Sequence, residues 1–113
     1  MNRALLVLVA AALLLAAACG VRTVHRSISA AKVGTATGWK GGTIHVRKGD
    51  KVVISVGNTT DKEHGFSIDA FGVKGTVKPG QHLLAKFTPT RTGTFTIYCQ
   101  LHPAHLHTTL SVS

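Results

Sequence analysis

The stretch Thr94-Phe95-Thr96-Ile97-Tyr98-Cys99-Gln100-Leu101-His102-Pro103-Ala104-His105-Leu106-His107 decides the reading of this chain. Its first half alternates. Phe95, Ile97 and Cys99 fall on one face and Thr94, Thr96 and Tyr98 on the other, the period-two pattern of a half-buried strand. The Cys99 thiol is thereby placed on the core side, at the strand's end. The second half is a histidine-rich loop, with Cys99 and His102 in C-x-x-H spacing and His105 and His107 beyond them. A thiolate beside imidazoles is a donor set suited to a transition metal, and His64, far upstream, offers an imidazole that only folding can bring near.

Outward from that stretch the chain is a string of short alternating runs. Thr43 to Arg47 predicts a strand, Lys48-Gly49-Asp50 a tight turn, and Val52, Ile54 and Val56 the inner face of the next strand. A loop follows at Gly57 to Asp61 and a third strand at His64 to Ile68. Gly72, Gly75 and Pro79-Gly80 punctuate the middle, Leu83, Ala85 and Phe87 alternate inward, and Pro89 to Gly93 turns into the last pair. No helical stripe and no internal repeat is present. Short strands separated by Gly and Pro turns predict an all-β, antiparallel Greek-key β-sandwich of about seven or eight strands.

Residues Met1 to Cys19 read as an export signal. Arg3 is the charged start, Ala4 to Leu15 the apolar run, and Ala16, Ala17 and Ala18 precede Cys19. That run is short against the roughly twenty residues of a membrane span. A small-residue run ending in cysteine fits a lipoprotein signal with Cys19 as the lipidated residue, although Ala16 stands where a bulky side chain is usual; plain secretion or an uncleaved anchor are the alternatives. The expected organisation is a signal over residues 1–19, a polar tether over 20–37 and a single domain over 38–113. The expected location is the periplasm or the outer face of a membrane, with the chain held there by its N-terminal lipid or anchor. An oxidising compartment permits a disulfide between Cys19 and Cys99, the only two cysteines, whereas lipidation or cleavage leaves Cys99 unpaired.

Thirteen Lys and Arg against four Asp and Glu give a net charge of +9, which steers acidic partners. The lysines are scattered singly and aromatic residues make up 5% of the chain, so neither a basic stripe nor a stacking platform forms and no nucleic acid is expected as partner. Four acidic residues, without a Ser-His-Asp order or a phosphate loop, leave little for acid-base or nucleophilic catalysis. An enzyme working by acid-base or nucleophilic chemistry is therefore not expected. His25, His45 and His82 are expected at the surface, and Trp39, between Gly38 and Gly41-Gly42, over one end of the sandwich.

The metal reading favours copper. An ion cycling between copper(II) and copper(I) needs a covalent thiolate and imidazoles in a geometry that both states accept, and Cys99, His102 and His64 supply three ligands. The usual weak axial donor is a methionine thioether, but the only methionine is Met1, inside the signal. The candidates for the fourth position are His107, which is favoured, then His105 and the Glu63 carboxylate. Strand alternation argues against Glu63 and His64 both ligating without a bulge. A harder axial donor strengthens the axial bond and weakens the copper–thiolate bond, predicting a low potential and a red or green colour. The same donors also suit tetrahedral zinc.

Gly65-Phe66-Ser67-Ile68-Asp69-Ala70-Phe71-Gly72-Val73, Pro79-Gly80, Phe95-Thr96-Ile97 and Cys99-Gln100-Leu101-His102-Pro103 resemble nitrosocyanin, the red-copper branch of the cupredoxins. More distantly they resemble the copper domains of nitrous-oxide reductase and cytochrome oxidase subunit II. The resemblance spans roughly Thr43 to Val112. It implies a cupredoxin fold and carries over Cys99, His102 and His107 as copper ligands. At His64, where that branch has a ligating glutamate, this chain has the histidine of ordinary cupredoxins, which implies a hybrid Cys-His-His-His set. A dinuclear centre needs two cysteines in the loop, and Cys99 is alone there. The expectation is one copper ion serving electron transfer with an acidic redox partner protein; the alternatives are a site that binds or converts a small molecule such as nitric oxide, and copper binding or delivery.

Overall fold

The computed structural model describes residues 20–102 and 107–113. Cys19 and His105 therefore lie outside the described residues, as does the expected signal. Among the described residues, nine strands run in the order β1 (Thr23–Val33), β2 (Ala36–Lys40), β3 (Ile44–Val46), β4 (Lys51–Asn58), β5 (His64–Ile68), β6 (Val73–Val77), β7 (His82–Phe87), β8 (Gly93–Tyr98) and β9 (His107–Val112), with one 3-10 turn at Asp69–Phe71. They form two sheets, ordered β2-β1-β4-β7 and β3-β9-β8-β5-β6. The all-β sandwich expected from the sequence is what the chain forms.

Alternation builds the core. Val52, Ile54 and Val56 of β4 are buried, with Ala85 of β7 beside them, and they face Phe66 and Ile68 of β5, Ile97 of β8 and Leu110 and Val112 of β9. Each fully buried aliphatic or aromatic side chain of this kind contributes roughly 1.5–3 kcal/mol. Cys99 closes the same row at the end of β8, fully buried, as Phe95 and Ile97 predicted. His25, His45 and His82 are exposed, as expected. Trp39 is buried, its ring edge-on to Phe66 at 5.7 Å.

The structure differs from the sequence reading in β6, where Gly72, Gly75 and Pro79-Gly80 had marked only turns, in the stretch before residue 38 and in strand direction. The stretch 20–37, expected as a tether, contains β1, the longest strand, and the start of β2. β1 lies between β2 and β4 and buries Val24, Ile28, Ala30 and Ala31. Its Ser, Thr and Ala content weakens the apolar signal, and its two large buried residues, Val24 and Ile28, stand too far apart to mark a strand by themselves. The sheets are also not wholly antiparallel: β1 pairs parallel with β4 from Thr23↔Lys51 to Ala30↔Asn58, and β3 pairs parallel with β9. A parallel pair needs a crossover connection. β2 and β3 provide it by carrying the chain from one sheet to the other before β4 returns.

The start of β1 is locked to the β3–β4 turn by a buried carboxylate. Asp50 accepts from Arg22 Nη2 at 2.7 Å and Nε at 3.2 Å, and from the backbone N–H of Arg47 at 2.8 Å. The Arg22 hydrogen bonds hold the Asp50 carboxyl below its ordinary value, helped by the Arg47 amide. A carboxyl depressed on folding contributes stability that is complete above its unfolded value of about 3.9 and is lost as pH falls through the folded value below that. Urea midpoints are thus expected to fall on acidification below about pH 4, and Asp50→Asn to lower the neutral-pH midpoint while flattening that acid dependence. A variant whose acid profile runs parallel to the wild type would remove Asp50 from this role.

Candidate metal centre

Cys99 follows β8 directly, and the backbone turns there, with the N–H of His102 donating to the carbonyl of Cys99 at 3.2 Å. C-x-x-H spacing is the span of a four-residue β-turn, so one turn sets both side chains. His64 opens β5 and is buried. The loop that delivers it is shaped by Asn58 at the end of β4. The Asn58 carboxamide donates to the carbonyls of Lys62 (2.7 Å) and Val77 (2.9 Å) and accepts from the amide (2.9 Å) and hydroxyl (2.7 Å) of Thr60. A buried amide satisfied on both ends specifies one loop conformation.

These elements bring three predicted donors together. Cys99 Sγ lies 4.0 Å from His64 Nδ1 and 3.7 Å from His102 Nδ1, and the three donor atoms fall within 4.8 Å of one another. Metal bonds of about 2.0–2.3 Å to nitrogen and sulfur span such separations, so one ion fits the set. The backbone N–H of Gly65 donates to Cys99 Sγ at 3.0 Å. That bond aims a backbone donor at the sulfur and fixes its position. Burial, with His102 and Lys62 nearby, holds the His64 imidazole below its ordinary value. His64 is therefore neutral at pH 7, with a lone pair available to a metal.

Among the described residues, the grouped donors are His64, Cys99 and His102, and the candidates Glu63 and His107 are not in that group. Glu63 is exposed, one residue outside β5. His107 opens β9 opposite Tyr98, is exposed, and stacks on the Tyr98 ring at 6.5 Å between centroids. Cross-strand partners share a face, and Tyr98 points away from the Cys99 side, so β9 presents His107 there too. Tyr98 in turn donates its hydroxyl to Asp69 at 2.8 Å, which raises its phenol above the ordinary value.

Two residues at the centre were not singled out by sequence. Asn58 sits in Gly57-Asn58-Thr59-Thr60, where an Asn beside Thr signals a side-chain-organised turn. Gln100 follows the cysteine, and nothing local to the sequence shows what its carboxamide reaches.

Comparison with curated proteins finds no match. Among solved structures, the multicopper oxidase mgLAC aligns with a TM-score of 0.69 at 21% identity, over 80% of this chain and 39% of that one. A multi-copper oxidase from Pseudomonas thermotolerans aligns with 0.69 at 18% identity, over 83% of this chain and 30% of that one. The copper nitrite reductase from Nitrosomonas europaea aligns with 0.70 at 19% identity, over 81% of this chain and 42% of that one. The chain thus spans less than half the length of these proteins, and what it shares with them is the fold. That fold, carrying a His/Cys/His cluster with His64 and Cys99 buried and His102 half-buried, accords with the match of residues 5–112 to the cupredoxin-like domain, and the chain belongs to that family.

Proposed function

We propose that the protein binds one copper ion through His64, Cys99 and His102 and transfers electrons outside the cytoplasm. The observation that carries this reading is the buried Cys99 sulfur, which meets two imidazoles and a backbone N–H at once. Copper bound there would supply a one-electron couple between its two oxidation states. The chain's own part is to keep the donors still. β5 fixes His64, a hydrogen-bonded turn fixes Cys99 and His102, and the Gly65 amide holds the sulfur in place, so little need reorganise when the charge changes. The protein's net charge of +9 favours an acidic redox partner, whose approach it would steer. Membrane attachment through Cys19 and a nitrosocyanin-like electronic structure with a fourth histidine donor, His107 or His105, belong to the same proposal.

Copper(II) titration of the full chain tests it. One equivalent is expected to bind, to give an intense visible band and to be reduced reversibly by one electron. His64→Ala and His102→Ala are each expected to weaken binding by more than about tenfold, since even losses outside the first ligand shell cost that much. Electron exchange with an acidic protein should slow as salt rises. A colourless chain that takes up only zinc would sink the proposal. An electron paramagnetic resonance spectrum reshaped by azide or nitric oxide would transfer it to a small-molecule site.

A further inference from the structure

The strand that carries His64, β5, scarcely pairs with β8, the strand that leads into Cys99. The ladder between β5 and β8 consists of Ser67↔Tyr98, and beyond it, toward the donors, the Gly65 N–H meets the Cys99 sulfur where a ladder would offer a carbonyl. Something other than backbone pairing must hold the ligand turn against β5. We infer that Gln100 does so, as a positioning residue that sets Cys99 and His102 in register with His64.

The Gln100 carboxamide uses both of its ends on two different strands. Oε1 accepts from the Ser67 hydroxyl of β5 at 2.7 Å, and Nε2 donates to the Gly75 carbonyl of β6 at 2.8 Å. A backbone carbonyl can only accept, so the Gly75 contact fixes which way the carboxamide faces. On β5, Phe66 and Ile68 point into the core, whereas Gly65 and Ser67 point to the opposite face. Ser67 is nonetheless only 1% exposed. Gln100 accounts for this: its carboxamide occupies the space beside Gly65 that any Cβ there would fill. The missing side chain at Gly65 is therefore a berth for Gln100, and it lies between the two donors that must meet, next to His64 in sequence and hydrogen-bonded to Cys99.

The inference rests on the proposed copper site for its spectroscopic part but not for its thiol part. In the full chain without metal, native-state alkylation of Cys99, followed on its own peptide, is expected to accelerate about tenfold or more in Gln100→Ala. Gln100→Glu should do the same, because it keeps the shape and the Ser67 bond but sets a carboxylate acceptor against the Gly75 carbonyl. In the copper(II)-loaded chain both variants should shift the thiolate charge-transfer band and weaken binding by about 10–100-fold, the scale for groups that orient ligands. Gly65→Ala is expected to lower the urea midpoint through its collision with Gln100. Adding Gln100→Ala should restore the midpoint but not the slow alkylation, which separates packing from positioning. Wild-type alkylation rates and an unshifted band in Gln100→Ala and Gln100→Glu would overturn the inference. A wild-type chain that takes no copper would overturn the copper site alone, with the alkylation rates still deciding the role of Gln100.

Discussion

Cys99→Ser is expected to leave a folded chain with no thiolate-to-copper band. The substitution changes little of the shape at a fully buried site, and the serine hydroxyl can still accept from Gly65, so no buried donor is stranded. A stability change within about 1–2 kcal/mol follows, the ordinary range for a conservative replacement. The chemistry changes far more. A serine hydroxyl stays protonated near neutral pH and is a hard donor, so the covalent partner of a soft ion is lost while His64 and His102 remain. Copper(II) binding should weaken by more than the roughly 10–100-fold that losses outside the ligand shell cost. Optical and paramagnetic resonance spectra of the loaded chain, paired with urea unfolding of the metal-free chain, check both halves. His107→Ala beside it should retain the band, because the donors that produce it stay in place; any displacement measures what His107 adds as a fourth donor. A band that survives Cys99→Ser would remove Cys99 as a ligand.

The parts of the site that the sequence disclosed are those governed by local rules. Alternation through Phe95, Ile97 and Cys99 gave the direction of the thiol, and C-x-x-H spacing placed His102 within the same turn. His64 could be nominated as a buried strand residue, since Phe66 and Ile68 share its face. What depended on register between strands could not be read. Opposing His107 to Tyr98 requires the pairing of β8 with β9, and the residues between them in sequence give no such information. The same holds for Gln100, whose partners Ser67 and Gly75 belong to strands distant in the chain. Asn58 was closer to legible, because its contact with Thr60 is local, but its bond to Val77 is not. In the fold, β3, β4, β5, β7 and β8 were found nearly to the residue, whereas β6, between Gly72 and Pro79, was read only as turns. β1 was missed because its burial serves a parallel neighbour and is spread over small residues.

That omission leads to the second large effect: a chain beginning at Gly38 is expected not to fold, whereas one beginning at Gly20 is. β1 is an interior strand, and its loss turns β4 into an edge and leaves the remnant of β2 without the neighbour it pairs with. The ladder from Thr23↔Lys51 to Ala30↔Asn58 goes, together with the Arg22 carbonyl that accepts from Lys51 and the Ala30 carbonyl that accepts from Thr59. Val24 and Ile28 alone take away roughly 3–6 kcal/mol of apolar burial at about 1.5–3 kcal/mol each, against a net stability of about 5–15 kcal/mol for a typical domain. The unpaired amides of β4 and the uncovered faces of Ile54 and Val56 add to that loss. Damage would reach the donors as well. Trp39 sits on β2, its ring packs against Phe66, and Phe66 lies in β5 between His64 and Ile68, so the strand that presents His64 loses its support from the far sheet. Far-ultraviolet circular dichroism and dispersion of amide resonances distinguish the two chains. Cooperative unfolding of the chain from Gly38 would return residues 20–37 to the status of a tether, and a collapsed, undispersed spectrum would establish β1 as part of the smallest unit able to assemble His64, Cys99 and His102.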